Sequence, residues 1–406
     1  MRLKSLVLFL VVLVFLGGLA VTVSAAPAKL EFFSSQAIEY PWIKVLMEEF
    51  NANNPGIIIV PNNAPEPEKV LQTRVMSNSV PDLIALWSSS ADFKAYAKDG
   101  IWLDLTGQPF LKKVNQDYLN SLKVDGKDYS LPYSFTGVGL YYNKKIFADN
   151  GLTPPKTYDD LISIAKKLKS KGITAFAFAD KDDWTHGKLN SPLYVVTIAN
   201  SQKYFSDLAE GKTTAKANPD YRKFAQRVLE LRNYGQFDSL ATDYTASIAM
   251  FANGKSAMLI EGTWALDGLL QANPKLDTEL LPFPGNTADS YNFPITIDMS
   301  FAISSRVKDK NAALKVLDFL SSMNAAQKYA KASGSPMLIQ GISGTIPQLK
   351  PILDAYAKGK SAPWPQDLWP APVVPENYKV VQNLILTKNI DQFIEQTDKM
   401  FADARK

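Results

Sequence analysis

Three short apolar runs separated by two helical ones limit what this chain can fold into. Leu30-Glu31-Phe32-Phe33, Gly56-Ile57-Ile58-Ile59-Val60 and Asp82-Leu83-Ile84-Ala85-Leu86 read as strands. Between the first two, apolar side chains fall at 42, 45, 46 and 50, which is helical spacing, and Asn53-Asn54-Pro55-Gly56 stops that helix. Residues 67–78 read as a second helix. The order is β-α-β-α-β. Strands that are apolar along their length, joined by helices, form a parallel sheet covered on both faces. Ligands bind beyond the carboxyl ends of such strands. Those ends are Ser34-Ser35-Gln36, Asn62-Asn63 and Trp87-Ser88.

Further along the pattern breaks twice. Tyr129 to Asn143 is a long extended stretch with prolines and glycines, suited to a strand that leaves one domain and enters another. Asn292 to Ser300 is extended again, and Ser333-Gly334-Ser335-Pro336 is a third, polar break. Between the first two, Thr157 is placed to cap a helix over 158–170, with Asp159 and Asp160 in its first turn. A strand is expected at 174–179, a polar loop with Trp184 and His186 at 180–188, helices to about 235 and at 244–253, and a strand at 257–260. That last strand stops at Glu261-Gly262-Thr263, and Trp264 follows at once. Helices at 310–321 and from about 389 flank a tail rich in proline and tryptophan, with Trp364 and Trp369.

The first residues differ from the rest. Met1-Arg2-Leu3-Lys4 is a basic start, Ser5 to Val23 is almost wholly apolar, and Val23-Ser24-Ala25-Ala26-Pro27 has the small residues of a cleavage site. Residues 1–25 are read as a cleaved export signal. The chain has 44 basic and 40 acidic residues; without Arg2 and Lys4 the balance is 42 to 40. That near-balance argues against nucleic-acid or membrane-surface binding, which needs clustered positive charge. The chain has no cysteine, which removes disulfides, thiol catalysis, cysteine metal sites and a lipid-anchored cysteine. The expected mature protein is free in the periplasm or outside the cell.

Several stretches resemble one family. Phe251-Ala252-Asn253-Gly254-Lys255-Ser256-Ala257-Met258 running to Gly262-Thr263-Trp264, with "FNANNPGIIIV", "VPDLIALW", "YSLPYSFTGVGLYYNKKIF" and "NAALKVLDFLSS" in order, is similar to the family 1 extracellular solute-binding proteins. These are carbohydrate receptors of ABC importers, with the maltose-binding type as their best-known relative. The resemblance covers nearly all of 27–406. It implies an α/β fold, the two-lobed type II periplasmic binding-protein fold, with lobes joined by crossing strands. The first lobe would hold 26–135 and 297–338, the second 136–296 and 339–406, with hinges near 133–138, 293–298 and 333–341. It implies a monomer that holds a sugar, most simply an oligosaccharide, in its cleft and docks on permease subunits, with no cofactor or metal. Carried over by position, Ser35, Gln36, Glu66, Trp87, Ser88, Thr136, Trp184 and Trp264 become candidate ligand contacts, with Trp369 or its rival Trp364 from the tail. Asp298 departs from the family, which often has a small residue there; it would bond either sugar hydroxyls or the hinge backbone.

The chemistry explains the choice. A sugar has apolar C–H faces and a rim of hydroxyls, so it needs flat aromatic surfaces and planar polar groups; tryptophan supplies area and a ring N–H. The competing reading for each tryptophan is core packing, and Trp42 and Trp102, inside elements, are read that way. His186, the only histidine, cannot form a multi-histidine metal site; it is a candidate partner for a hydroxyl beside Trp184 or a surface residue. Tyr141 and Tyr142 are read as structural. Asp180, Asp182 and Asp183 lack the glycine and terminal acid of a calcium loop and are read as a solvated turn. A glycoside hydrolase needs two carboxylates across one bond; Glu66, Glu261 and Asp298 exist, but nothing pairs them. There is no nucleophile elbow or phosphate loop. The alternative solute is a polyamine or peptide. A polyamine would want several carboxylates near the tryptophans, and only Glu66 and Asp298 are evident.

Overall fold

The computed structural model describes residues 26–35, 40–342 and 346–406. The expected signal at 1–25 and the candidate Gln36 lie outside the described residues. No helix among the described residues is long and apolar enough to cross a membrane.

The opening pattern folds as expected. β1 (Ala28–Ser34) pairs in parallel with β2 (Ile57–Asn62) and β3 (Leu83–Leu86), and helices Tyr40–Asn53 and Pro67–Met76 connect them. All four residues of β3 are buried, as an apolar run covered on both faces requires.

The crossing strands carry the sheet onward. β4 (Leu131–Asn143) is buried along all 13 residues. Its first half pairs antiparallel with β8 (Phe293–Ile303), and β8 pairs antiparallel with β3. Its second half pairs with β6 (Met258–Gly262) and β7 (Thr278–Leu281). β5 (Phe176–Ala177) runs parallel to β6, and β9 (Ser361–Pro363) parallel to β8. One path thus runs β2-β1-β3-β8-β4-β6-β5. Gly137 allows the close pairing: a Cβ there would lie 2.4 Å from the Phe293 ring and 2.6 Å from the Pro294 carbonyl oxygen. The third break enters the same seam. Phe135 N–H donates to Pro336 O at 2.9 Å and Leu338 N–H to Tyr133 O at 2.8 Å, where the β4–β8 register shifts.

Local signals set the second half. Thr157 caps helix Tyr158–Ser170 in a reciprocal box with Asp160, and Leu161, Ile162, Ile164, Ala165 and Leu168 form its buried face. Two expectations need correction. The strand at 174–179 shrinks to two residues. The polar loop at 180–188 is largely a helix, Asp183–Lys188, and Asp180 is no solvated turn residue: it is buried against Arg232, at 2.8 Å from Nη2. Solvation lost on burial is replaced there by a charge-assisted bond.

Beneath this half lies an aromatic interior. Tyr194 stacks on Phe224, and Phe205, Tyr221, Phe393 and Phe401 surround them. Trp42, on the first helix, packs partly buried on the main core, and Trp102 is buried against Phe93 in the first half, at an isolated bridge to Ser304 outside the strands.

Candidate binding site

The site forms where the ends of β3 and β6 and the middle of β8 meet the helix Asp183–Lys188. Trp87 follows β3 and is half-buried. Trp184 stands one helical turn before Lys188, so both project from one face. The Lys188 ammonium lies 5.5 Å from the Trp87 ring centre and 5.6 Å from that of Trp184. One cation therefore touches two indoles from opposite halves of the chain. Tyr244 supports Trp184 from behind, with ring centres 5.2 Å apart.

Four carboxylates act on the same ammonium: Glu68, Asp298, Glu261 and Asp367. Burial pulls Lys188 below its ordinary value, and these four charges pull it back. No described carboxylate comes within salt-bridge distance of it. Burial pushes Glu261 up to about 8, against the Gly262 N–H, the Lys188 charge and Trp264. Glu261 Oε2 accepts from Gly262 N–H at 2.9 Å, while Oε1 is buried without a described partner. Asp298 and Asp367 are each raised to about 6, again chiefly by burial, with Lys188 opposing. Ser134 Oγ lies 3.4 Å from Asp298 Oδ2.

A chain of hydroxyls closes one side. Thr296 Oγ1 donates to Asp367 Oδ2 at 2.7 Å, which leaves Ser89 as the donor in its 2.8 Å contact with Thr296. The chain links the end of β3 to β8 and to the turn after β9.

Trp264 answers why a strand should end beside its largest side chain. Its ring folds back over Gly262, where a Cβ would meet ring carbons at 2.1–2.3 Å. Glycine lets the indole lie flat on the strand end. Trp264 is half-buried, touches apolar residues of both main cores and meets Trp364 edge-on at 6.1 Å.

The other candidates are placed as follows. Ser35 Oγ donates to Ala85 O at 2.9 Å, Ser88 pairs with Ser300 at 2.7 Å, and Thr136 with Thr263 at 2.7 Å; all are buried in the strand ends. These hydroxyls tie the walls together through those bonds and keep acceptor lone pairs beyond them. Glu66 is exposed, in the left-handed region at φ 48°, and paired with Lys69 at 3.0 Å. Its neighbour Glu68 is the one whose charge reaches Lys188.

Two candidates are corrected outright. His186 is 0% exposed, with Nε2 at 3.0 Å from Asp180 O, and burial lowers it to about 4. It is a neutral structural residue, because the helix it occupies turns it away from Trp184. Trp369 is 2% exposed and packs on Tyr194, Phe205 and Phe401 in the aromatic interior. Its rival Trp364 is 6% exposed, donates to Pro294 O at 3.1 Å and supports Trp264.

Lys188 and Asp367 carry almost no signal in the sequence. Lys188 becomes visible only once 183–188 is a helix, since it then stands four residues after Trp184 on one face. No group of three or more metal-ligating side chains occurs among the described residues.

Against known proteins, the chain is 28% identical over 375 residues to the multiple sugar-binding protein of Streptococcus mutans, covering 89% of this chain and 86% of that one. Its fold matches the apo form of RafE from Streptococcus pneumoniae with a TM-score of 0.82 at 24% identity, over 94% of this chain and 99% of that one. It matches RafE in complex with raffinose with a TM-score of 0.84 at 23% identity, over 93% and 100%. These likenesses make the fold the expected two-lobed one. The family model for bacterial extracellular solute-binding proteins matches residues 34–327, well over half of the sequence, and the chain therefore belongs to that family.

Proposed function

We propose that this protein is the extracytoplasmic receptor of an ABC importer and binds a carbohydrate between its lobes. The observation that carries this reading is the meeting of Trp87 from the first half with Trp184 from the second at Lys188, on which Glu261, at the strand end that carries Trp264, also acts. Two indoles on opposite walls suit the two apolar faces of a sugar ring, and the surrounding carboxylates and hydroxyls suit its rim. The 28% identity to a multiple sugar-binding protein supports the same class. An oligosaccharide would reach from the Trp87–Trp184 pair to Trp264.

A sugar that touches both lobes makes more contacts when they are closed, so it shifts the population toward closure. β4, β8 and 333–341 are the proposed hinges, dividing the lobes near 135, 297 and 338. A permease would read the closed form. The monomer is proposed to leave the cell by the signal at 1–25 and to lack a lipid anchor, since it has no cysteine. The solute is proposed to leave unchanged. Purified mature protein is first screened by thermal shift against mono- and oligosaccharides, polyamines and peptides. A ligand at a hundred times its Kd adds about 2.7 kcal/mol. A sugar hit, with a smaller radius of gyration in X-ray scattering and the same sugar recovered by chromatography, supports every part. Silence from all sugars overturns the carbohydrate; recovery of a cleaved sugar overturns passive binding.

A further inference from the structure

β2 lies at one end of the sheet path, and its sequence is of the kind that pairs readily. Ile57, Ile58, Ile59 and Val60 are β-branched apolar residues in a row, set between Gly56 and Pro61. Among the described residues β2 pairs with β1 alone, so its other side is an open edge there. Gly56 O accepts from Ala28 N–H at 3.0 Å. That turns the backbone groups of Gly56, Ile58 and Val60 toward β1 and leaves those of Ile57, Ile59 and Pro61 pointing outward.

None of the three outward residues offers a free donor. Ile57 N–H donates to Asn54 O at 2.9 Å. Ile59 N–H donates to Asn51 Oδ1 at 2.7 Å, and Asn51 Nδ2 donates back to Ile59 O at 2.8 Å. Pro61 has no N–H to give. A primary amide carries an acceptor and a donor side by side, as a strand does, so Asn51 fills the place of the next strand. The far end of the sheet path is closed in the same way. Just past β5, Gln236 Oε1 accepts from Phe178 N–H at 3.0 Å and its Nε2 donates to Phe178 O at 2.5 Å. Water satisfies backbone groups at an exposed edge, and it reaches this one, since Val60 is 49% exposed. Satisfying Ile59 therefore does not by itself call for Asn51; excluding another strand does.

We propose that the outer edge of β2 is a latent self-association surface, which Asn51 holds shut against the same edge of a second copy of this chain. Two copies of β2 about a two-fold axis are self-complementary, because each brings the same apolar run. Without the amide, the edge has the exposed pairing groups that edge-to-edge association uses. The proposal rests on the monomer reading above and on nothing about the solute.

The experiment compares wild type, Asn51→Leu and the double variant Asn51→Leu with Val60→Lys as full mature chains. Mass is read by light scattering over a concentration series, well below the melting temperature, with circular dichroism on each sample. Leucine keeps the bulk of asparagine and removes both bonds. The lysine puts a charge on the exposed face of the same strand, which blocks edge pairing without entering the core. The expected result is a constant mass for wild type. Asn51→Leu, with the wild-type spectrum, about doubles in mass as concentration rises, and the added lysine restores the wild-type mass. A wild-type mass for Asn51→Leu at every concentration overturns the proposal. So does association that the lysine leaves in place, since the contact then lies elsewhere, or association seen only with loss of the native spectrum. Should Asn51→Leu not fold, Asn51→Ser, too short to reach both backbone groups, is read by the same outcomes. The wild-type mass tests the monomer separately. A wild-type dimer ends that reading, and the difference between the variants still decides this one.

Discussion

Two regions of the second half are built from the same kinds of residue and behave oppositely. In the interior, Trp369 is closed in by Tyr194, Phe205 and Phe401, and His186 is held neutral beside Asp180. In the cleft, Trp184 and Trp264 are half-buried, and Glu261 has an unanswered oxygen. Both regions hold tryptophans outside strands and buried ionisable groups. What separates them is exposure. The interior leaves Trp369 Nε1, His186 Nδ1 and Asn377 Oδ1 without a described partner, against Glu261 Oε1 in the cleft. The interior's rings are nonetheless fully buried, whereas the cleft keeps Trp87, Trp184 and Trp264 only half-buried. Half-buried aromatic faces beside polar groups suit a ligand.

The largest test is Trp369→Ala. A buried tryptophan replaced by alanine should cost about 3–5 kcal/mol of stability in urea unfolding, with affinity per folded molecule unchanged. A clear loss of affinity with stability intact would move Trp369 back to the cleft and dissolve the contrast.

The pH response gives the contrast two opposite signs. His186 falls from 6.5 to about 4 on folding, so its neutral form contributes stability that is present above about pH 6.5 and lost as pH falls toward 4, on the order of 3 kcal/mol. Glu261 rises from 4.5 to about 8, so its protonated form contributes stability that is present below 4.5 and lost as pH rises through about 8. Melting curves of His186→Gln should flatten on the acid side, and those of Glu261→Gln on the alkaline side. Equal slopes in wild type and variant would remove either group from the account.

Smaller effects are expected from single cleft tryptophans. Trp184→Ala and Trp264→Ala should each cost about 1–3 kcal/mol of sugar binding by calorimetry, with little loss of stability. Collapse of stability in Trp264→Ala would make that ring core, since it touches both main apolar clusters. The smallest effect is Glu66→Gln. Its exposed pair with Lys69 should be worth no more than about 0.5 kcal/mol, and binding should not change. A large drop in affinity would place Glu66, not Glu68, at the site.

How much was legible follows from range. The opening β-α-β-α-β pattern, the Thr157 cap and the long crossing strands are set by periodicity and by contacts a few residues apart, so the chain declares them itself. Its motifs declare the family in the same way. Which tryptophan meets the cleft is another matter. Trp364 and Trp369 are five residues apart in one proline-rich tail, and one supports the cleft while the other fills the core. A short 3₁₀ helix, Pro365–Leu368, separates them and leaves the two rings with different neighbours, and no local pattern encodes that. Lys188 is the sharper case. Its neighbours Trp87, Glu261, Asp298 and Asp367 come from four distant segments, brought together only when β3, β6, β8 and the tail converge. The sequence by itself determined the elements, their order and their caps, because those depend on nearby residues. Only the tertiary structure decided the site, because charge and ring contact depend on distance in space.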